Sequence, residues 1–335
     1  MNLCWQHVYS GVLPCPWPDC PSGTATSSFE LHGKWIRRKR FGDAVDAPVH
    51  AWVIDGVNAA HVVAQLTRRA IAELNGAASL ADDGSMYHFT SAVGARGILK
   101  SAELWLTDYR DLRDGAEVRD GQQVARATFE DLRAELHSET SRLLDGLVAA
   151  PLPDGVYVAC FCMLQQSPYH WQEYASDSAG AALVLNPVGF ETLLESDPFA
   201  VQLTRVAYTW DVKAGLFAHL AIWLDELLRF DIARNTFDEN AYSRELTQIF
   251  GELLPMCKDV SFFREHEIRL FASPALSRFG LASRLTVRDM NGRRYISTSQ
   301  ILPEFALPVE KVLLGPNFEG DGRDLGVALV QRVVA

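Results

Sequence analysis

The residues of this chain best placed to do chemistry lie in Arg264-Glu265-His266-Glu267-Ile268-Arg269-Leu270-Phe271. Written as a strand, the segment puts alternate side chains on one face. Glu265, Glu267 and Arg269 then point one way, and His266, Ile268 and Leu270 the other. The aliphatic pair marks the second face as the more buried. Two carboxylates and a guanidinium are therefore held together on the opposite side of a core strand. Such a group is costly unless its charges are paired or lie in a wet cleft. In a cleft it could move protons or steady a developing positive charge. On a solvated sheet face it would be a structural Glu–Arg pair.

Other residue types widen the choice. Asp111, Asp114 and Glu117 form an acidic turn that could bind Mg²⁺ together with Glu265 or Glu267. Helix capping and dipole matching account for Asp114 and Glu117 without a metal. His88 sits on an early strand, where a hydrogen-bonded core histidine is the common alternative to a ligand-binding one. Tyr87 and Phe89 flank it on the opposite face, so His88 is expected to face the cleft of the Glu pair. Tyr169, Trp171 and Tyr174 fall on one predicted helix, and the last two, three apart, share a face. Packing on the sheet accounts for Trp171, whereas the Tyr174 hydroxyl needs a partner. The six cysteines, at 4, 15, 20, 160, 162 and 257, include no CxxC pair. That spacing argues against zinc, and Cys160 and Cys162 are expected as buried free thiols.

The elements that must position these groups are legible from residue 86 onward. Tyr87–Thr90 is a short predicted strand, and Ser91 is a good cap for a helix over 92–100. Strands are predicted at 104–107, 156–162, 181–186 and 206–208, with a helix at 168–175. A long polar helix is predicted near 117–147. Two strong amphipathic helices follow at about 212–231 and 239–256. Strands near 266–272, 284–289, 294–297 and 311–315 close the chain. Helices and strands do not alternate regularly, which favours α+β with a mixed, mainly antiparallel sheet and flanking helices. Residues 1–85 differ in kind. Pro14, Pro16, Pro18 and Pro21 crowd one stretch, and the basic run 37–40 follows. This segment is expected to be an extension, partly disordered, with one helix at 57–78 and a linker at 81–85. Residues 86–335 are expected to form one catalytic α+β domain.

Composition narrows the function classes. With 48% hydrophobic and 22% charged residues the chain is an ordinary globular protein. A net charge of −11 argues against a wide basic surface for nucleic acid, while allowing a local patch. No apolar run approaches a membrane span, and the N-terminus lacks signal-peptide order. A cytoplasmic protein without a membrane partner is the expectation.

Five motifs in order resemble a bacterial family known as domain of unknown function 2971. Tyr87-His88-Phe89-Thr90-Ser91 precedes Ile98-Leu99 and Leu104-Trp105-Leu106. Leu112-Arg113-Asp114 with Glu117 is similar to that family's acidic turn. Cys160-Phe161 leads to Trp171, Tyr174-Ala175 and Gly180. Lys258 precedes Glu265-His266-Glu267 and Arg269. Val312-Leu313-Leu314-Gly315-Pro316 closes the pattern. Arg113 stands where Asn is usual and Cys162 where Ser is common. More distantly, a His on an early strand, a middle aromatic segment and a late Glu-x-Glu resemble the ADP-ribosyltransferase fold.

That second resemblance implies a function. Enzymes of the fold cleave the bond between nicotinamide and ribose in NAD, by ADP-ribosyl transfer or NAD hydrolysis, and some are toxins or defence effectors. It implies that Glu267 stabilises the ribosyl cation and that Glu265 serves the acceptor. His88, Thr90, Trp171, Tyr174 and Arg269 would bind NAD, which acts as substrate. The acceptor, protein or nucleic acid, stays unnamed. Two rivals remain: a Mg²⁺-dependent nuclease or phosphohydrolase built on the acidic turn, and a ligand-binding module without chemistry.

Overall fold

The computed structural model describes residues 84–112, 115–150, 155–164, 167–196, 200–233, 235, 237–274, 281–319, 322 and 325. The helix expected at 57–78, the basic run 37–40 and most of the linker lie outside them. Of the described residues, 121–150 and 209–253 form one compact unit, and 84–120, 155–208 and 254–325 another. No described helix is long and apolar enough to cross a membrane.

The second unit carries a nine-stranded sheet. Its strands are β1 (Met86–Thr90), β2 (Trp105–Asp108), β3 (Tyr157–Cys162), β4 (Ala181–Leu185), β5 (Val201–Arg205), β6 (Glu267–Ala272), β7 (Arg288–Met290), β8 (Arg293–Ser297) and β9 (Val309–Leu314). Their order is β7-β8-β2-β3-β1-β4-β9, and β6 pairs with both β3 and β5. All these pairings are antiparallel. The α+β class with a mainly antiparallel sheet is therefore as expected. One sheet face packs Met86, Leu106, Phe161, Leu183, Ile268, Leu270 and Ile296 into the main core. A smaller cluster on the other face joins Tyr87, Phe89, Cys162, Ala182 and Val184, with Trp171 against it.

Local chemistry starts and stops the elements around this sheet. The Ser91 hydroxyl accepts a hydrogen bond from Gly94 N–H at 3.0 Å and opens α1 (Ala92–Ser101). Ser167 and Pro168 open the short helix α4 (Pro168–Tyr174). Asn291-Gly292, with φ of +55° and +76°, makes the two-residue turn between β7 and β8. At Gly180 a Cβ would lie 2.2 Å from the Thr90 carbonyl oxygen, and at Gly315 one would lie 2.1 Å from that of Ser178. Both positions are glycine because backbones cross there.

The helical unit departs from expectation at two places. The long helix predicted near 117–147 is two, α2 (Gly115–Leu132) and α3 (Ser138–Ala149). The buried Asp225 carboxylate accepts hydrogen bonds from His137 N–H at 2.6 Å and Thr140 Oγ1 at 2.8 Å, which fixes the break. The two helices predicted as amphipathic form as α6 (Trp210–Ala233) and α7 (Glu239–Leu253), but only α7 is amphipathic: α6 is buried on nearly every side from Leu216 to Asp225. Leu216, Leu220, Leu228, Tyr242, Leu246, Ile249 and Phe250 are buried. In the sheet unit, the strand expected at 206–208 is instead β5, five residues earlier, and Ala207 makes only an isolated bridge to Cys257. The strand expected at 284–289 is displaced by the short helix α8 (Leu281–Arg284) before β7. Two more helices complete the described set, α5 (Glu191–Ser196) and α9 (Thr298–Ile301).

Candidate active site

The carboxylate pair does not share a strand. β6 begins at Glu267, whereas Glu265 ends a 3-10 turn, Val260–Glu265. Asp259 starts that turn by accepting from Ser261 N–H at 2.9 Å. His266, between the two glutamates, takes φ +43° and ψ +49°, a left-handed conformation. The expected alternation through 264–271 is broken there.

Both carboxylates nevertheless converge on one ammonium group. Lys258 Nζ donates to Glu265 Oε2 at 2.5 Å and to Glu267 Oε2 at 3.1 Å, and lies 5.1 Å from the Phe262 ring centre. Arg269 grips Glu267 with two bonds, Nε to Oε1 at 2.7 Å and Nη2 to Oε2 at 2.9 Å. It also donates to the Pro255 carbonyl. Tyr174 and Tyr169 donate to Glu265 Oε1 at 2.9 and 3.3 Å. All four charged groups are at most 5% exposed. Two carboxylates meet two cations, so the cluster is neutral as a whole. This resolves the cost raised by the sequence in favour of pairing.

Counting acceptor positions separates the two glutamates. A carboxylate offers about four lone-pair directions. Glu267 accepts two from Arg269, one from Lys258 and one from the Cys160 thiol. Glu265 accepts two from tyrosines and one from Lys258, so one direction is open. Burial would raise the Glu267 pKa, but Arg269 and Lys258 outweigh it and hold it at about 2. Burial, then Glu265 beside it, pushes the Tyr174 phenol far up, so its proton stays in the bond.

These groups border a cavity of about 260 Å³. It opens where β3 changes partners. On one side β3 pairs with β6 along its whole length; on the other, β2 covers Tyr157 and Val158, and β1 meets only Cys162. At the gap, His88 Nδ1 donates to the Cys160 carbonyl at 3.0 Å. The walls include Tyr87, Phe89, Cys162, Tyr174, Phe262 and Arg293, and Glu265, Glu267 and Lys258 border it too. Cys162 Sγ is 3.8 Å from His170 Nδ1, which is 2.6 Å from Ser167 Oγ. Burial pushes the Cys162 thiol up to about 12 and the His170 imidazole down to about 4. Both are neutral near pH 7, so the pair is not an activated thiolate.

The structure places the remaining candidates as follows. His88 was expected to face the Glu pair. Its register partner is Leu183, in the main core, while Tyr87, Cys162 and Glu267 align on the opposite face. His88 thus points away from the glutamates and borders the cavity only through the gap; burial lowers its pKa. Trp171 packs edge-on against Phe89 at 5.0 Å, and neither it nor Thr90 borders the cavity. Arg269 does, but its fork is committed to Glu267. Asp111 borders it too, with both oxygens bonded to Arg294. That hydrogen bond, foremost, lowers the Asp111 pKa. The Asp114 and Glu117 side chains lie outside the described residues. Among the described residues no group of three His, Cys, Asp or Glu is placed to hold a metal ion. Sequence reasoning missed Tyr208, whose hydroxyl accepts from Glu267 N–H at 3.0 Å, and also Phe262 and Arg293. Tyr208 and Arg293 come in from distant segments, and Phe262 lies in the turn just before the stretch read as a strand.

Comparison of the chain with protein-family models, curated proteins and solved structures finds no match in any of the three.

Proposed function

We propose that the cavity cleaves the nicotinamide–ribose bond of NAD, as an ADP-ribosyltransferase or NAD glycohydrolase on an ADP-ribosyltransferase-like fold. The carrying observation is Glu265. It is a buried carboxylate on the wall of a partly aromatic cavity, held by Lys258 and two tyrosine hydroxyls, with one acceptor direction open. This moves the key role from Glu267 to Glu265. As the C1′–N bond breaks, its electron pair leaves with nicotinamide and positive charge grows on the ribose. Glu265 accepts the 2′-hydroxyl and lies against that charge. Water or another acceptor then adds at C1′, and its proton passes to solvent by way of Glu265. Tyr174 orients the carboxylate, and the Glu267–Arg269 pair positions Lys258. At about 260 Å³ the cavity suits the reacting end of the dinucleotide, with the adenylate half outside.

One observation favours a second reading. The charge-balanced cluster is also what a binding module without chemistry would keep. Nicotinamide release by the full chain, with EDTA present and beside Glu265→Gln, separates the two. Release that survives EDTA and is lost in the variant supports cleavage. NAD binding without release, even with cell lysate as acceptor, leaves the binding module.

A further inference from the structure

The cavity's sheet face continues beyond it toward β2, β8 and the edge strand β7. Residues opposite one another in register share a face. Thr107 pairs with Val158 on one side and Tyr295 on the other, Arg288 pairs with Tyr295, and Met290 with Arg293. Trp105, two residues from Thr107, lies on the same face. Trp105 and Tyr295 stack at 4.2 Å with planes 22° apart, and Trp105 is 41% exposed. Arg288 and Arg293 are exposed, and Arg293 also borders the cavity. No described carboxylate bonds to either. The acids nearby are occupied otherwise: Asp108 bonds Arg110, Asp111 bonds Arg294, and Asp289 accepts from Gly292 N–H.

We propose that this face binds single-stranded nucleic acid, with a base stacked on Trp105 and backbone phosphates on Arg288 and Arg293. Two exposed guanidiniums with no carboxylate partner among the described residues, beside an exposed flat ring, suit an anionic partner with a planar group. Stacking needs an unpaired base, which separates a single strand from a duplex. An acidic peptide would use the arginines and leave the indole idle. Arg293 at the cavity rim would lead the strand toward Glu265. The surface rests on its own residues and stands whether or not the cavity cleaves NAD.

The test is fluorescence anisotropy of a labelled oligothymidylate of about a dozen nucleotides with the full chain, over roughly 50 to 200 mM salt. Each engaged phosphate contributes about 0.7 to the salt slope of a single strand, so Arg288→Ala should lower that slope by about 0.7. Trp105→Ala should weaken binding about fivefold or more. A duplex of the same length and polyglutamate should bind more weakly. Thermal melts show that each variant is folded, and Trp105→Phe, which keeps a ring, should retain most of the affinity. Absence of binding at low salt overturns the proposal. So does binding that both variants leave unchanged, or polyglutamate binding as tightly as the oligonucleotide.

Discussion

Replacing Glu267 by Gln should cost stability first. Arg269 is 1% exposed and Lys258 4%, and Glu267 holds both. The amide keeps one acceptor oxygen and turns an NH₂ toward two cations. Breaking a buried pair from one side costs about 3–5 kcal/mol, because the remaining charge stays buried. The proton linkage gives a second route. Glu267 lies at about 2 against an ordinary 4.5, which corresponds to roughly 3 kcal/mol. The sign follows from the depressed value: this stabilisation is complete above pH 4.5 and is lost as pH falls toward 2. By the usual size scaling, Glu267→Gln should melt about 6–20 °C lower near neutral pH. The gap between parent and variant should narrow in acid. Circular dichroism melts at several pH values measure both. Glu265→Gln is the contrast, because Lys258 keeps Glu267 and the amide oxygen still accepts from the tyrosines. Its NH₂ then faces Lys258, where the carboxylate accepted at 2.5 Å, so it should cost about 1.5–3 kcal/mol, less than Glu267→Gln, yet lower nicotinamide release about a hundredfold or more. A Glu267→Gln protein that melts within about 2 °C of the parent would refute this account of the cluster.

Tyr174→Phe removes the 2.9 Å bond to Glu265; it should reduce the turnover number for nicotinamide release several-fold at a stability cost of about 1 kcal/mol, checked by initial rates and a melt. His170 is held neutral by burial with a pKa of about 4, so its contribution is full above pH 6.5 and fades as pH falls toward 4, and His170→Gln should flatten the melting-temperature profile in that window. Gly180→Ala drives a methyl group into the Thr90 carbonyl and should lower the unfolding free energy measured in urea by about 1–3 kcal/mol or more. Gly97→Ala, in α1 with nothing within 4 Å of its Cβ, should raise it by about 0.5–1 kcal/mol.

Much of the fold was legible because local chemistry and global packing agree. Ser91 caps α1 as its type suggests, and Ile268 and Leu270 face the core as their alternation requires. The strand β5 escaped because the apolar triplet 206–208 looks more strand-like than Val201-Gln202-Leu203-Thr204-Arg205, although the latter alternates. The site was legible in composition but not in geometry. Residues 264–271 alternate well enough for one strand, and nothing in the residue types demands positive φ at His266. The gap beside β3 depends on its pairings with β1, 75 residues away, and with β2, 49 to 51 residues away, which periodicity cannot reveal. Hence the strand pattern alone shows neither that His88 shares a sheet face with Leu183 while still bordering the cavity, nor that Arg293 borders it too.

The left-handed residue at 266 makes the two glutamates parts of different mechanical bodies. Glu267 is bolted to β6, whose every residue pairs with β3. Glu265 rides on a turn whose residues 259–261, 263 and 264 are exposed, outside the β3–β6 ladder. Changes in the turn can therefore retune what the cavity accepts, while changes in β6 decide whether there is a cavity at all.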